Sequence, residues 1–367
     1  MRGDWRGVVW AAAGWAALTG SGWAEDGPKI LHFANRPDFI AEDTVQKFSA
    51  ETGIKVTYDI YATDEAVLAA LKAGNKPGWD LVVTSAVPNL SRAIADHALQ
   101  PIDPGKLANI ANLDPEIQKT LADIDPGNKF AVPYLWGSAG LGINAALLKQ
   151  RMPDAPLDSL TLVFDPALAA HAAGCGIAMA DTPEDGVPAI LSFLGLDPAT
   201  RDQHDLAKAG AVLESLKPFV KRLSADDFAA ELGAGRLCVG FGPSTAVSDA
   251  RTRADDLADG PDITYVIPKE HTRRWIDVLA IPAGAADIEA AYQFINYLLR
   301  PEIISDITDW TGAANPNMLA TDFVDDEDKT DETVFPSAAA RALLFLDKPL
   351  GAEATKARQR LWAHTRP

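Results

Sequence analysis

The sequence predicts an α/β protein of two lobes, each a mainly parallel sheet flanked by helices. Three observations carry this expectation. The first part of the chain alternates short apolar strands with amphipathic helices, the pattern of a parallel sheet covered by helices. An aromatic, glycine-rich stretch, Lys129-Phe-Ala-Val-Pro-Tyr-Leu-Trp-Gly-Ser-Ala-Gly-Leu-Gly-Ile-Asn144, then leads out of that region. A second α/β region follows, and apolar residues from Trp275 to Pro282 lead back from it. A chain that crosses between lobes more than once has a hinge rather than a flexible tether.

The N-terminus reads as a segment to be set aside. Arg2 and Arg6 supply positive charge, residues 7–18 are apolar but too short to span a bilayer, and Gly22 and Ala24 offer the small residues a signal peptidase reads. Residues 1–24 are therefore taken as a cleaved secretory signal. Asp4 is unusual in such a segment, and an uncleaved N-terminal anchor is the alternative.

The mature chain begins with a strand over Lys29–Ala34. A helix over Glu42–Glu51 puts Val45 and Phe48 on one face, and Gly53 closes it. Ile54–Tyr61 alternates as a strand. Asp64–Ala73 is helical with Leu68 and Leu71 inward, and Asp80–Val83 is a short buried strand followed by Thr84 and Ser85. Ligands of parallel sheets sit beyond the carboxyl ends of the strands. That rule puts residues 35–39 and 84–86 at a binding edge. In the crossing stretch, Gly137, Gly140 and Gly142 are expected to let the backbone bend, and Pro133, Tyr134 and Trp136 to present ring faces to a cleft, with a buried strand followed by a loop as the alternative. The second α/β region spans Leu147–Tyr265. A helix is expected over Ala290–Leu299, an acidic loop over Thr321–Glu332 and a helical tail over Ala338–Trp362. The lobes are then residues 27–136 plus 266–310, and residues 137–265 plus 311–367.

Composition narrows the function classes. The 367 residues carry a formal net charge of -18, whereas phosphate binding needs basic patches, so nucleic acid is not a partner. An acidic surface instead concentrates cationic ligands. The six histidines are scattered, there is no CxxC or HExxH, and no metal or cofactor is indicated. Cys175 and Cys238 form an even pair in an exported chain and read as one disulfide, with two buried thiols as the alternative. Trp136-Gly-Ser-Ala-Gly140 superficially resembles a nucleophile elbow but lacks its first glycine. No complete catalytic constellation is readable, so the sequence points away from an enzyme.

Several segments together resemble a known family across nearly the whole mature chain. They are Asp38-Phe-Ile-Ala-Glu-Asp-Thr44, Glu51-Thr-Gly-Ile-Lys-Val56, Asp80-Leu-Val-Val83, the crossing stretch, Pro268-Lys-Glu270, Asp277-Val278 and Ala291-Tyr-Gln-Phe-Ile-Asn-Tyr-Leu-Leu-Arg-Pro301. The chain resembles the periplasmic polyamine-binding (putrescine/spermidine) receptors of ABC importers, nearer the putrescine branch. The resemblance implies a type II-like periplasmic binding protein, a monomer with its ligand in the inter-lobe cleft. It implies a periplasmic location, a small cationic polyamine-like solute and delivery to a membrane permease. It also places Cys175 and Cys238 where that branch has its disulfide.

A polyamine is protonated at neutral pH, so each ammonium leaving water needs a carboxylate and hydrogen bonds. Its methylenes need apolar or aromatic walls. The resemblance maps ligand contact onto Arg36, Asp38, Phe39, Ser85, Asp185, Trp275 and Asp277, with Trp275 and Asp277 matching an aromatic-x-Asp pair. Asp38 alternatively caps the following helix, and Asp185 alternatively is a solvated loop charge. The chain also departs from the pattern. Arg36 stands for a tryptophan, Pro37 for a serine, Phe39 for a tyrosine, Pro243 for a tryptophan, Ala246 for an aspartate ligand and Ala313 for a tyrosine. One amine clamp has thus lost its carboxylate and gained a cation. The alternatives within the fold are a mixed-charge amino-acid-like or guanidino solute gripped by Arg36, and a polyamine sensor.

Overall fold

Strands form where the apolar runs were read, and they hydrogen-bond into one continuous path from lobe to lobe. The structure is a computed structural model that describes residues 29–61 and 63–365, so the signal read at 1–24 lies outside the described residues. The strands are β1 (Ile30–Asn35), β2 (Lys55–Ile60), β3 (Leu81–Ser85), β4 (Ala131–Asn144), β5 (Ile177–Ala180), β6 (Val220–Leu223), β7 (Val239–Pro243), β8 (Ile263–Val266), β9 (Thr272–Ala280) and β10 (Leu344–Leu346). Their order is β2-β1-β3-β9-β4-β7-β5-β6, with β8 on β4 and β10 on β9. The first lobe has a parallel core, β2-β1-β3, and the second a parallel core, β7-β5-β6. The crossing strands β4 and β9 pair antiparallel with each other and with both cores.

The crossing stretch is a strand throughout. β4 has 14 residues, all buried; Ala131–Ser138 pair with β9 and Ala139–Ile143 with β7. Its glycines were expected to permit a bend, yet none of the three has positive φ. They permit close approach instead. A Cβ at Gly137 would sit 2.3 Å from the Trp275 ring, at Gly140 2.6 Å from Tyr265, and at Gly142 2.7 Å from Leu232. The aromatic residues of β4 also lie elsewhere than expected. Tyr134 is fully buried against Phe39, and Trp136 is buried between Arg274 and Arg341, on the side away from the site described below. A register shift between Pro133 and Leu135 separates the two rings into different cores.

Helices form at the expected positions, shifted by a residue or two. Phe48 anchors the helix Thr44–Thr52, which ends at Gly53 in the left-handed region with its N–H on the Ser49 carbonyl. Thr63 caps the helix Asp64–Lys72 by accepting from the Ala66 N–H. The helix Ile288–Leu298 buries Ala290, Ala291, Phe294, Ile295 and Leu298 in the first-lobe core. The expected helical tail is broken, because β10 pairs with the start of β9 before the helix Ala352–His364 begins. The acidic stretch 321–332 contains the end of a 3-10 turn, Ala320–Asp322, and a short helix, Asp326–Thr330.

The packing also moves a lobe boundary. Ala313, Ala314, Ala320 and Val334 lie in first-lobe cores, whereas Trp362 lies in the second-lobe core. We therefore assign residues 311–335 to the first lobe rather than to the second.

Cys175 and Cys238 form a disulfide with Cα atoms 5.5 Å apart. It staples the entries of β5 and β7, whose first residues, Ile177 and Val239, are register partners. The closed loop spans 63 positions. Replacing both cysteines by serine should lower unfolding stability by about 2–4 kcal/mol, mainly by relaxing the unfolded chain. Denaturant titration of both forms checks this, and an unchanged midpoint would refute it.

Candidate functional site

The site forms where β1 and β3 end and β9 runs between β3 and β4. Asn35, the last residue of β1, donates from Nδ2 to the Phe39 carbonyl and accepts the Arg36 N–H, tightening the loop that follows. The Tyr58 hydroxyl donates to the Arg36 carbonyl and the Tyr134 hydroxyl to the Phe39 carbonyl. The loop backbone is thereby fixed and the Arg36 side chain is sent over the sheet edge.

There Arg36 Nη2 lies 3.0 Å from Asp277 Oδ1 and 3.0 Å from Asp64 Oδ1. Asp277 is 5% exposed, and the ladder holds it between Ser85 of β3 and Leu135 of β4. Asp64 opens the helix Asp64–Lys72. Ser85 Oγ donates to its carboxylate at 2.8 Å, and Asn89 Nδ2 to its carbonyl. Burial holds the Asp277 carboxyl above the usual carboxylate range, with Arg36 offsetting part of that and Asp64 adding to it. Burial also works against the Arg36 charge, but Asp277 and Asp64 outweigh it and raise the guanidinium above its ordinary value. Arg36 is charged at any physiological pH.

Side chains alternate along a strand, so Arg273, Trp275 and Asp277 share one face of β9. Trp275 packs on Phe39, with ring centroids 6.4 Å apart, and Arg36 lies 6.0 Å from the Phe39 centroid. The gap at Gly137 admits the Trp275 ring next to Ser244 Oγ, at the start of the helix Ser244–Asp255 of the second lobe. Arg273 donates from Nη1 to Asp185 at 2.7 Å and from Nη2 to the Val87 carbonyl, and its Nε is 2.7 Å from Asp347. Asp185 lies in the first turn of the second-lobe helix Pro183–Phe193. Arg273 therefore ties the two lobes together. Burial raises the Asp347 carboxyl and Arg273 opposes that shift.

Five of the expected contacts thus come together: Arg36, Phe39, Ser85, Trp275 and Asp277. Asp185 lies along the same strand face but is already paired with Arg273. Asp38 does not join them. It is exposed, with φ 52°, and among the described residues it has no hydrogen bond or ion pair. Nor does it cap the following helix, whose N-cap is Asp43. Ala313 is fully buried in the first-lobe core, and Pro243 and Ala246 flank Ser244. Sequence reasoning missed Asp64 and Arg273. Arg273 was signalled by its spacing of two from Trp275, and Asp64 by standing first in a helix at the same sheet edge as Ser85. Among the described residues no group of side chains suits a metal ion, and no helix is long and apolar enough to cross a membrane.

Residues 43–336 match the family described as bacterial extracellular solute-binding protein. The chain belongs to that family. Among its relatives, the putrescine-binding periplasmic protein PotF of Escherichia coli (strain K12) is 38% identical over 336 residues, covering 91% of this chain and 90% of that one. The putrescine-binding periplasmic protein SpuD of Pseudomonas aeruginosa (strain UCBPP-PA14) is 37% identical over 335 residues, covering 91% of each. A solved structure described as a putative spermidine/putrescine ABC transporter from Listeria monocytogenes superposes with a TM-score of 0.79 at 27% identity, covering 92% of this chain and 98% of that one. In this family member the two-lobed fold is therefore the one read from the sequence.

Removing one partner of a buried ion pair leaves the other charge uncompensated. Arg273→Gln strands both Asp185 and Asp347 and should destabilise the protein by about 3–5 kcal/mol. Chemical denaturation measures this, and a loss below about 1 kcal/mol, the median of exposed pairs, would show that Arg273 bears little load.

Proposed function

We propose that this chain is the extracytoplasmic solute-binding component of an ABC importer, receiving a polyamine of the putrescine/spermidine class and delivering it to a membrane permease. The single observation that carries the reading is Asp277: a buried carboxylate on a strand face shared with Trp275, under Phe39, at the carboxyl edge of β3. A ligand ammonium hydrogen-bonds that carboxylate while its methylenes lie against the two rings. Similarity to putrescine-binding periplasmic proteins and to a spermidine/putrescine ABC transporter supports the ligand class and the importer. We place the protein in the periplasm as a monomer, with the signal read at residues 1–24 removed. The chemistry is binding and release, with no bond made or broken.

Lobe closure follows from the same side chains. Arg273 and Asp185 join the first-lobe sheet to a second-lobe helix, so a ligand lying on β9 sits where the lobes meet. The mixed-charge alternative, in which Arg36 grips a ligand carboxylate, is less favoured because Arg36 is already engaged by two carboxylates.

Calorimetry with putrescine, spermidine and 4-aminobutanoate tests the proposal. The wild type should bind a polyamine in preference to the amino acid. Asp277→Asn should keep the far-UV spectrum and weaken polyamine binding by roughly 2–5 kcal/mol, the cost of truncating a desolvated charge pair. A wild type that binds neither polyamine, or an Asp277→Asn protein of unchanged affinity, would sink it.

A further inference from the structure

We propose that Arg36 is a tethered cation that competes with the ligand's ammonium for Asp277, and that Asp64 sets how strongly it competes by keeping the guanidinium once it is displaced. This rests on the polyamine reading above and concerns the same site.

One nitrogen, Arg36 Nη2, serves both carboxylates. It lies 3.0 Å from Asp277 Oδ1, 3.0 Å from Asp64 Oδ1 and 3.3 Å from Asp64 Oδ2. A primary ammonium bonding Asp277 Oδ1 needs the place that nitrogen now fills. Both carboxylates are the better anchored partners, through their backbones and, at Asp64, through Ser85. Asp277 is set by β-ladder partners on both sides, and Asp64 is held by Ser85 Oγ and by Asn89 through its carbonyl. The Arg36 backbone is held by Asn35 and Tyr58, but its side chain is 31% exposed and ends a flexible stem. The guanidinium is therefore the part that moves.

Its displacement has a ready end point. Asp64 already contacts Nη2 through both oxygens, so a guanidinium leaving Asp277 keeps a charged partner and settles wholly on Asp64. The exchange then costs one charge-assisted hydrogen bond, and the ligand's ammonium replaces that bond at Asp277. Without Asp64, the displaced guanidinium would leave its last carboxylate with no second one at hand. Asp64 thus favours ligand binding without touching the ligand. The competitor also sets a chemical requirement. The incoming group must donate hydrogen bonds to match what Arg36 gives up, so a primary ammonium qualifies and a permethylated one does not.

The test is calorimetry with putrescine on the wild type, Arg36→Gln, Asp64→Asn and the double variant, each checked for folding by circular dichroism and thermal melting. Residues sharing one network show coupling. On that basis Arg36→Gln should tighten binding by about tenfold, Asp64→Asn should weaken it by about tenfold, and Asp64→Asn added to Arg36→Gln should change it by less than about threefold. Equal effects of Asp64→Asn in both backgrounds would overturn the proposal, since Asp64 would then act on the ligand directly through its charge. An Arg36→Gln protein that binds no tighter would overturn it as well. If Arg36→Gln does not fold, Arg36→Met replaces it, because it keeps an unbranched stem and removes the charge; the same gain is expected, and no gain counts against the proposal. N-permethylated putrescine should bind the wild type at least about tenfold more weakly than putrescine, and equal binding would refute the donor requirement. Loss of the polyamine reading is distinguishable. Wild type and Arg36→Gln that both fail to bind putrescine and spermidine remove both ideas, whereas equal, measurable binding removes this one alone.

Discussion

A carboxylate buried in a sheet must have a cation, and the cleft is organised around that need at Asp277. Taking an unpaired carboxylate out of water costs far more than one hydrogen bond returns, so the group either takes up a proton or finds a partner. In this protein burial pushes Asp277 toward the protonated form and Arg36 pulls it back. The loop after β1, the start of the helix Asp64–Lys72 and the end of β3 all serve this pairing. Asn35 and Tyr58 fix the Arg36 backbone, and Ser85 steadies the second carboxylate that shares the guanidinium. Removing Arg36 would leave the buried Asp277 carboxylate without its cation.

The crossing strands explain how such a site can sit between two lobes and still be rigid. β4 belongs to both sheets: its first half pairs with β9 and its second half with β7 and β8. The lobes therefore share backbone hydrogen bonds rather than a linker. Glycines on β4 let rings and aliphatic groups from both lobes lie directly on the strand, as Trp275 does at Gly137 and Leu232 at Gly142. A side chain there would push the aromatic wall off the sheet that carries Asp277. Glycine is used for space at these positions, and the strand remains extended throughout.

This difference also shows where the sequence was legible. Alternation of apolar strands and helices gave the first lobe's parallel core, and Gly53 ended its helix as expected, because those features depend on local periodicity and local φ. Trp275 and Asp277 were singled out by the resemblance, and alternation along β9 puts them on one face. Tyr134 and Trp136 were misplaced because a register shift near Pro133 sends each ring to a different core, and no local pattern announces that shift. Asp38 and Asp185 were read as ligand contacts from their place in the chain. The partners that decide their roles are distant in sequence: Arg273 lies 88 residues from Asp185, and Arg36 reaches past Asp38 to Asp64 and Asp277. Pairing across such separations is a property of the fold, and a single sequence does not show it.

The arginines at first appear to argue against a cationic ligand, yet their stoichiometry argues for one. Arg36 faces two carboxylates, Asp64 and Asp277. Arg273 also faces two, Asp185 and Asp347. Arg358 also acts on Asp347, so the surplus carboxylate is at the Arg36 cluster. A cation suits that cluster, whereas an anionic group would meet a surplus carboxylate there. The arginines hold the four carboxylates in place, and the Arg36 cluster keeps one negative charge more than it has cations.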